Sequence, residues 1–202
     1  MTIPISEEAI RSLHAGDTVR LSGVMVTGRD AAHKYMIENF IRTDEVPESE
    51  RELHAKLKEL LAGSIIYHCG PVVRERENGA WEFVAAGPTT SIREEPYEAE
   101  VIAHFGLRGV IGKGGMGENT LIACREHGAV YFHAVGGAAS LIANAVKEVV
   151  AVYKKDEFGV PEAFWVIRVE NFPVVVTMDS HGRSIHYEVE EASKSALDKL
   201  LV

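Results

Sequence analysis

The chain has 202 residues, 46% hydrophobic and 25% charged, the balance of an ordinary soluble globular protein with length for one sizeable core or two small ones. Thirty acidic against 21 basic side chains give a net charge of −9 without any polybasic block, which argues against a nucleic-acid partner, because a phosphate backbone calls for a basic face. No apolar run approaches the ~20 residues of a membrane span, and MTIPISEEAI lacks the basic and apolar regions of a signal peptide, so a cytoplasmic location is the default expectation.

In chain order, residues 6–14 predict a short helix opened by Ser6. AGDTVRLSGVMVTGRD alternates Val19, Leu21 and Val24, Val26 about Gly23, which predicts strand, bend, strand. Asp30 is placed to cap a helix over 31–42, with Ala32, Met36, Ile37, Phe40 and Ile41 on one face. Ser49 and Glu52 form a capping-box pattern for a second helix carrying Leu53, Leu57, Leu60 and Leu61, with Gly63 at its stop. SIIYHCGPVV predicts a strand ending at Gly70-Pro71, and WEFVAAGPTT another ending at Gly87-Pro88. A helix over about 96–105, a short strand in RGVIGKGG, a helix over 118–127 ended by Gly128 and a strand in AVYFHAVGG follow. Residues 138–148 predict a helix, 149–153 a strand, FWVIRV and PVVVTMD two further strands, SHGR a turn, and about 188–200 a closing helix. Strands and helices are intermixed without repeat or linker, so one α/β domain over 1–202 is expected, with ligands gathering at the glycine-marked strand ends.

Three stretches carry candidate chemistry. In IGKGGMGENT, Lys113 precedes Gly114 and Gly115. A P-loop needs its lysine after the glycines and a hydroxyl after the lysine. Gly112, Gly114 and Gly117 meet the G-x-G-x-x-G spacing, but no acidic residue ends a following strand at the expected place. The loop therefore points to an anion rather than a nucleotide; a tight turn with a solvated lysine explains it equally well. In AAGPTTSIREEP, a helical turn over 90–93 would put Thr89 and Arg93 on one side, with Arg93 able to fork onto a carboxylate. The plain alternative is a capping threonine, with Arg93 paired to Glu94 or Glu95. In VTGRDAAHK, Arg29 stands at a strand end and His33 one turn into a helix, the pattern also of an ordinary strand-to-helix junction. Cys69, Cys124, His68 and His133 are read as core or strand residues, because no metal-ligand spacing accompanies them, and no metal is expected on this chain. Two cysteines frame no disulfide scaffold and cannot supply the three or four thiolates that usually hold an iron–sulfur cluster.

GRDAAHK, GPTTSIR and GKGGM, in this order, resemble the C-terminal part of the class I fumarases, and equally the separate beta subunits of two-subunit fumarases and of L-tartrate dehydratase. The resemblance runs from about residue 10 to about residue 200, and its specificity lies in the threefold combination. It implies a swivelling β/β/α domain of the fumarase C-terminal type. It implies the beta subunit of an iron–sulfur hydro-lyase of the tricarboxylic acid cycle, hydrating fumarate reversibly to L-malate. Such a chain is active only with an alpha subunit that holds a [4Fe–4S] cluster on three cysteines, in an expected α2β2 heterotetramer. Motif by motif, Arg29, Arg93 and Lys113 resemble the residues that bind the carboxylates of a small dicarboxylate, and Thr89 resembles the base. His33 matches its motif without an assigned role; Thr90, Gly114 and Gly115 are motif neighbours. A threonine hydroxyl is a poor base in water and requires adjacent guanidinium groups to depress its pKa. The alternatives are an L-tartrate dehydratase beta subunit, a non-catalytic assembly or binding subunit of the same fold, and a metal-free lyase active by itself.

Overall fold

The computed structural model describes residues 1–200; the last two residues of the expected domain lie outside it. The chain runs α1 (Glu7–Arg11), β1 (Thr18–Thr27), α2 (Asp30–Met36) with a π-helical turn at Ile37–Ile41, α3 (Arg51–Leu61), β2 (Ile65–Tyr67), β3 (Val72–Glu75) and β4 (Trp81–Ala85). It continues through α4 (Glu95–Phe105), β5 (Gly109–Gly112), α5 (Glu118–His127), β6 (Val130–His133), α6 (Ala139–Ala143), β7 (Val146–Tyr153), α7 (Lys155–Phe158), β8 (Phe164–Met178) and α8 (Ile185–Leu200). The architecture is mixed α/β, as expected. No helix among the described residues is long and apolar enough to cross a membrane.

The main sheet is ordered β1-β2-β5-β6-β8-β7, and β8 also pairs with β1, which closes the first five strands into a ring. β1, β2, β5 and β6 run parallel, whereas β8 is antiparallel to each of its neighbours. β3 and β4 form a separate hairpin. Strand side chains alternate between two cores, as period-two geometry requires. Ile65, Tyr67, Ile111, Val130, Phe132, Trp165 and Ile167 pack in one cluster within the ring. Ile66, Val110, Tyr131, Phe164 and Val166 face outward against Met36, Leu57, Leu61, Val101, Phe105 and Ala123 of the helices. Both faces are covered, which explains why the parallel strands read as near-continuous apolar runs.

Several local expectations change. FWVIRV and PVVVTMD are one 15-residue strand, β8. Its pairing with β7 ends at Val169 and that with β6 begins at Val175, so β1 alone flanks Pro173, and a proline there breaks no ladder on the free edge. The expected bend in β1 is a register shift between Leu21 and Gly23 within one strand. The helix over 138–148 stops at Ala143, and the β-branched residues from Val146 onward join β8 as β7. Asp30 does not cap α2: the cap position is Arg29, without a side-chain bond. Nor does Ser49 form a capping box, since Glu50 holds the cap position of α3 and its carboxylate accepts from Tyr35 and Lys154 instead. Ser6 does cap α1, accepting from Ala9 N at 3.2 Å, and Gly63 and Gly128 stand in the left-handed region at the ends of α3 and α5.

Candidate active site

The three motifs meet at the C-terminal ends of the parallel strands. Arg29 follows β1, His68 follows β2 and Lys113 follows β5. Residues 89–91 thread between the last two: Thr89 N donates to His68 O at 2.8 Å, Lys113 N to Thr89 O at 3.1 Å and Ser91 N to Lys113 O at 3.1 Å. Thr90 and Lys113 are thereby bridged in parallel, so GPTTS is an added piece of strand where β2 and β5 end. The following turn at Ser91–Glu94 aims Arg93 back over the site. Arg93 Nη2 donates to Asp30 Oδ2 at 2.7 Å and lies 3.4 Å from Thr89 Oγ1. Arg29 pairs with Glu162 at 3.3 Å and reaches Asp30 at 4.0 Å. The structure thus joins Arg29, Thr89, Arg93 and Lys113, and Arg93 pairs with Asp30 rather than with Glu94 or Glu95.

The glycine loop does hold an anion, but it is the chain's own. Glu95 sits at the N-terminus of α5, accepting from Gly117 N at 2.7 Å, Asn119 N at 3.0 Å, Thr120 N at 3.3 Å and Thr120 Oγ1 at 2.6 Å. That carboxylate fills the site a helix N-terminus offers to an anion. A ligand would therefore meet Lys113 rather than the helix dipole. Lys113 makes no ion pair among the described residues. Gly114 and Gly115 have φ 84° and 79°, and a Cβ on Gly115 would stand 2.5 Å from the His186 ring.

Beneath these loops lies a polar group that motif spacing did not assemble. His33 and His68 each place Nε2 2.9 Å from the same Glu98 Oε2, and all three side chains are fully buried. Burial pushes the Glu98 carboxyl up, but the adjacent His33 charge and the bond from His68 outweigh it and hold it down to about 2. Burial pushes His33 down, and Glu98 outweighs that, so His33 stands above the ordinary histidine value. Glu94 is pushed up by burial, and neither of its oxygens has a hydrogen-bond partner among the described residues. His33, His68 and Glu98 bring one ligand atom each to within 4.8 Å of one another; those atoms are already engaged with each other. An iron–sulfur cluster does not fit this chain. Cys69 belongs to the inner core and Cys124 to the outer, on opposite faces of the sheet. Burial pushes the Cys69 thiol up to about 12 and raises Cys124 as well, the reverse of a ligating thiolate. Recesses along α8, lined by Glu191, Lys194 and Asp198, and beside α3, lined by Glu52, Lys56 and Tyr153, share no residue with the site.

A closed mixed sheet flanked by helices, with guanidinium, ammonium and hydroxyl groups at the ends of its parallel strands, defines an α/β domain with a cationic strand-end site. Residues 1–189 match the family described as Fumarase C-terminus, and the chain belongs to that family. It is 51% identical over 197 residues to a Geobacillus stearothermophilus protein named "Putative fumarate hydratase class I"; the match covers 98% of this chain and 34% of that protein, so the chain spans about a third of that relative. It is 39% identical to a Methanocaldococcus jannaschii protein named "Putative L(+)-tartrate dehydratase subunit beta", over 98% of this chain and 95% of the relative. It is 37% identical to the L(+)-tartrate dehydratase subunit beta of Escherichia coli (strain K12), over 92% of this chain and 85% of the relative. These similarities accord with the fold expected from the three motifs.

Proposed function

We propose that this chain is the beta subunit of a class I iron–sulfur hydro-lyase that hydrates fumarate reversibly to L-malate, with residues 1–202 acting as one domain. The observation that carries the proposal is Arg93 Nη2 set 3.4 Å from Thr89 Oγ1, in a segment locked by backbone bonds to Lys113. In the malate-to-fumarate direction, Thr89 takes the proton beside a carboxylate, and the Arg93 charge favours the ionised hydroxyl it needs; the hydroxyl on the neighbouring carbon then leaves with the C–O bonding pair, for which the partner's cluster would supply Lewis-acid chemistry. Charge then develops on that carboxylate. Arg29, Arg93 and Lys113 are the groups that would hold the two carboxylates and stabilise this charge, and donors aimed in advance at developing charge are the strongest catalytic contribution of such sites. Thr90, Gly114 and Gly115 shape the loop around them.

The chain's cysteines are unsuited to a cluster, which supports a cluster-bearing alpha subunit as partner. Ile92, 51% exposed, directly precedes Arg93 in the turn over the site, which supports a face that a second domain covers. An α2β2 assembly, a cytoplasmic location and a place in the tricarboxylic acid cycle complete the proposal. The second reading is an L-tartrate dehydratase beta subunit, favoured by the 39% and 37% identity over nearly the full length of two proteins bearing that name.

The test is co-purification with a cluster-bearing partner, followed by assay of L-malate and L-tartrate dehydration in parallel. Malate turnover exceeding tartrate turnover is expected. The reverse preference establishes the second reading, and a cluster-loaded complex inert to both, with Thr89→Ala indistinguishable from wild type in ligand binding, establishes an assembly subunit.

A further inference from the structure

The buried side chains beneath the site include Ser91 and Tyr131 as well as the two histidines and Glu98. Their donors and acceptors can be assigned one by one. The Arg29 carbonyl only accepts, so His33 Nδ1, 2.9 Å away, carries a hydrogen. His33 Nε2 faces Glu98 Oε2 at 2.9 Å. This contact is an ion pair and not an aligned hydrogen bond, since Nε2 has no hydrogen-bond partner among the described residues; a lone pair this close to a carboxylate would be repelled, so the nitrogen carries a hydrogen and His33 is an imidazolium. His68 Nε2, also 2.9 Å from Glu98 Oε2, donates to it. Tyr131 donates its hydroxyl hydrogen to Ser91 Oγ at 2.9 Å. Ser91 has one hydrogen, and its other neighbour is His68 Nδ1 at 2.9 Å, so it donates there. His68 is therefore neutral, with its proton on Nε2. Gly112 leaves room for the run: a Cβ there would overlap Ser91 Oγ and stand 3.0 Å from the Tyr131 oxygen.

We propose that Tyr131, Ser91, His68 and Glu98 form one directional hydrogen-bonded chain, closed on His33 by an ion pair, that ties the loops carrying Lys113, Thr89 and Arg29 to each other, and that these five are positioning residues for Thr89. The run starts at Tyr131 on β6, crosses Ser91 two residues beyond Thr89, where the Ser91 N–H also holds the Lys113 carbonyl, and reaches the carbonyl of Arg29 through His33. Thr89 itself hangs on the His68 carbonyl through its backbone N–H. His68 thus fixes this segment twice, through its main chain at Thr89 and through its ring at Ser91. The links from Tyr131 to Ser91, from Ser91 to His68 and from His68 to Glu98 span 40, 23 and 30 residues, so they add side-chain ties between segments that the backbone bonds already bring together. Glu94, buried next to both histidines, adds no bond to the run. In its consequence for Thr89 the proposal rests on the function proposed above; in its protonation pattern it does not.

Two measurements test it. The first is ring ¹⁵N NMR of the full chain at neutral pH, with no partner present. Two protonated ring nitrogens on His33 and a single proton on His68 Nε2 are expected, with Ser91→Ala shifting the His68 Nδ1 resonance and leaving His33 doubly protonated. A singly protonated His33, or a His68 proton on Nδ1, overturns the chain. So does stoichiometric Zn²⁺ binding lost in His68→Gln, which would make the trio a metal site. The second is kinetics of the assembled enzyme with Tyr131→Phe and Ser91→Ala, the former removing only one hydroxyl. A fall in kcat of about 10- to 100-fold with KM changed less than about twofold is expected, the scale of a small misplacement of a reacting group. His68→Gln, which keeps a donor toward Glu98, should retain more activity than His68→Ala. A lowered melting temperature with unchanged kcat in all four overturns the positioning role. If the wild-type complex is inert, the function proposed above fails while the NMR result still decides the protonation pattern.

Discussion

Thr89 separates chemistry from binding most cleanly, because Thr90 beside it is exposed and serves as an internal control. Thr89→Ala in the assembled enzyme should lower kcat about 10²- to 10⁴-fold with little change in KM, the range for a lost acid–base group, while Thr90→Ala should be near neutral. Thr89→Ser should recover part of the rate, since the hydroxyl remains but the methyl that restricts its rotamer is gone. Steady-state kinetics at matched cluster content checks this; a normal kcat for Thr89→Ala with a dead Thr90→Ala would shift the base by one residue. Lys113→Met keeps the stem and deletes the charge, so kcat/KM should fall at least ~10²-fold, the scale for one transition-state contact. Its melting temperature should hardly move, as a lysine with no ion-pair partner among the described residues contributes little stability. Arg93→Lys should raise KM, because an ammonium cannot reproduce the planar fork that spans Asp30 and Thr89.

Among the elements, the turn into α5 offers a matched pair. Gly114 and Gly115 share a left-handed backbone, so alanine at either position costs about 1–2 kcal/mol. A Cβ on Gly114 meets only Thr90 Cγ2 at 4.0 Å, whereas on Gly115 it strikes the His186 ring. Gly115→Ala should therefore lower the melting temperature clearly more than Gly114→Ala; equal losses would show that the ring swings aside. The α3–α4 contact makes a different forecast. His54 Nε2 and His104 Nε2 lie 2.9 Å apart, so one ring donates to the lone pair of the other. Burial, helped by the Lys58 charge, lowers both from the ordinary value of 6.5. A histidine with a depressed folded pKa contributes stability that is present above pH 6.5 and lost as pH falls through the folded value. Wild type should thus lose melting temperature on acidification from neutrality, and the double variant His54→Gln/His104→Gln should lose less. His33 acts with the opposite sign: its folded pKa is raised, so its contribution is complete below the unfolded value and is lost as pH rises through the folded one. A steeper acid loss in the double variant would remove the His54–His104 contact as its cause.

For the whole molecule, the forecast is incompleteness. Cys69 and Cys124 stand in separate cores with raised pKa values. Anaerobic treatment of the isolated chain with iron and sulfide should leave it colourless and without hydratase activity, and both should appear when a cluster-bearing partner is added. A stable iron–sulfur absorption band in the chain alone would overturn this.

Much of the fold was legible in the sequence because its signals are local. The apolar strand runs, Ser6 capping α1, and Gly63 and Gly128 at helix ends depend on neighbours a few residues away. The three motifs marked the loops at the strand ends by their glycines, prolines and charges, and the structure brings those loops together. What decided the rest is long-range. β8 is unbroken across Pro173 because β1 alone flanks it there, which no window around the proline reveals. Asp30 looked like a cap and instead holds Arg93, 63 residues away. Glu95 looked like a local partner for Arg93 and instead fills the N-terminus of α5, taking the anion site that IGKGGMGENT advertised. His68 looked like a buried strand residue; only the threading of residues 89–91 between the ends of β2 and β5 and the packing of α4 bring Ser91 and Glu98 to its two nitrogens, from 23 and 30 residues away. Local pattern determines which backbone a segment adopts, because propensity and periodicity act within a few residues. Which carboxylate meets which cation was decided by the tertiary fold, since burial makes each buried polar group take whatever partner the packing supplies.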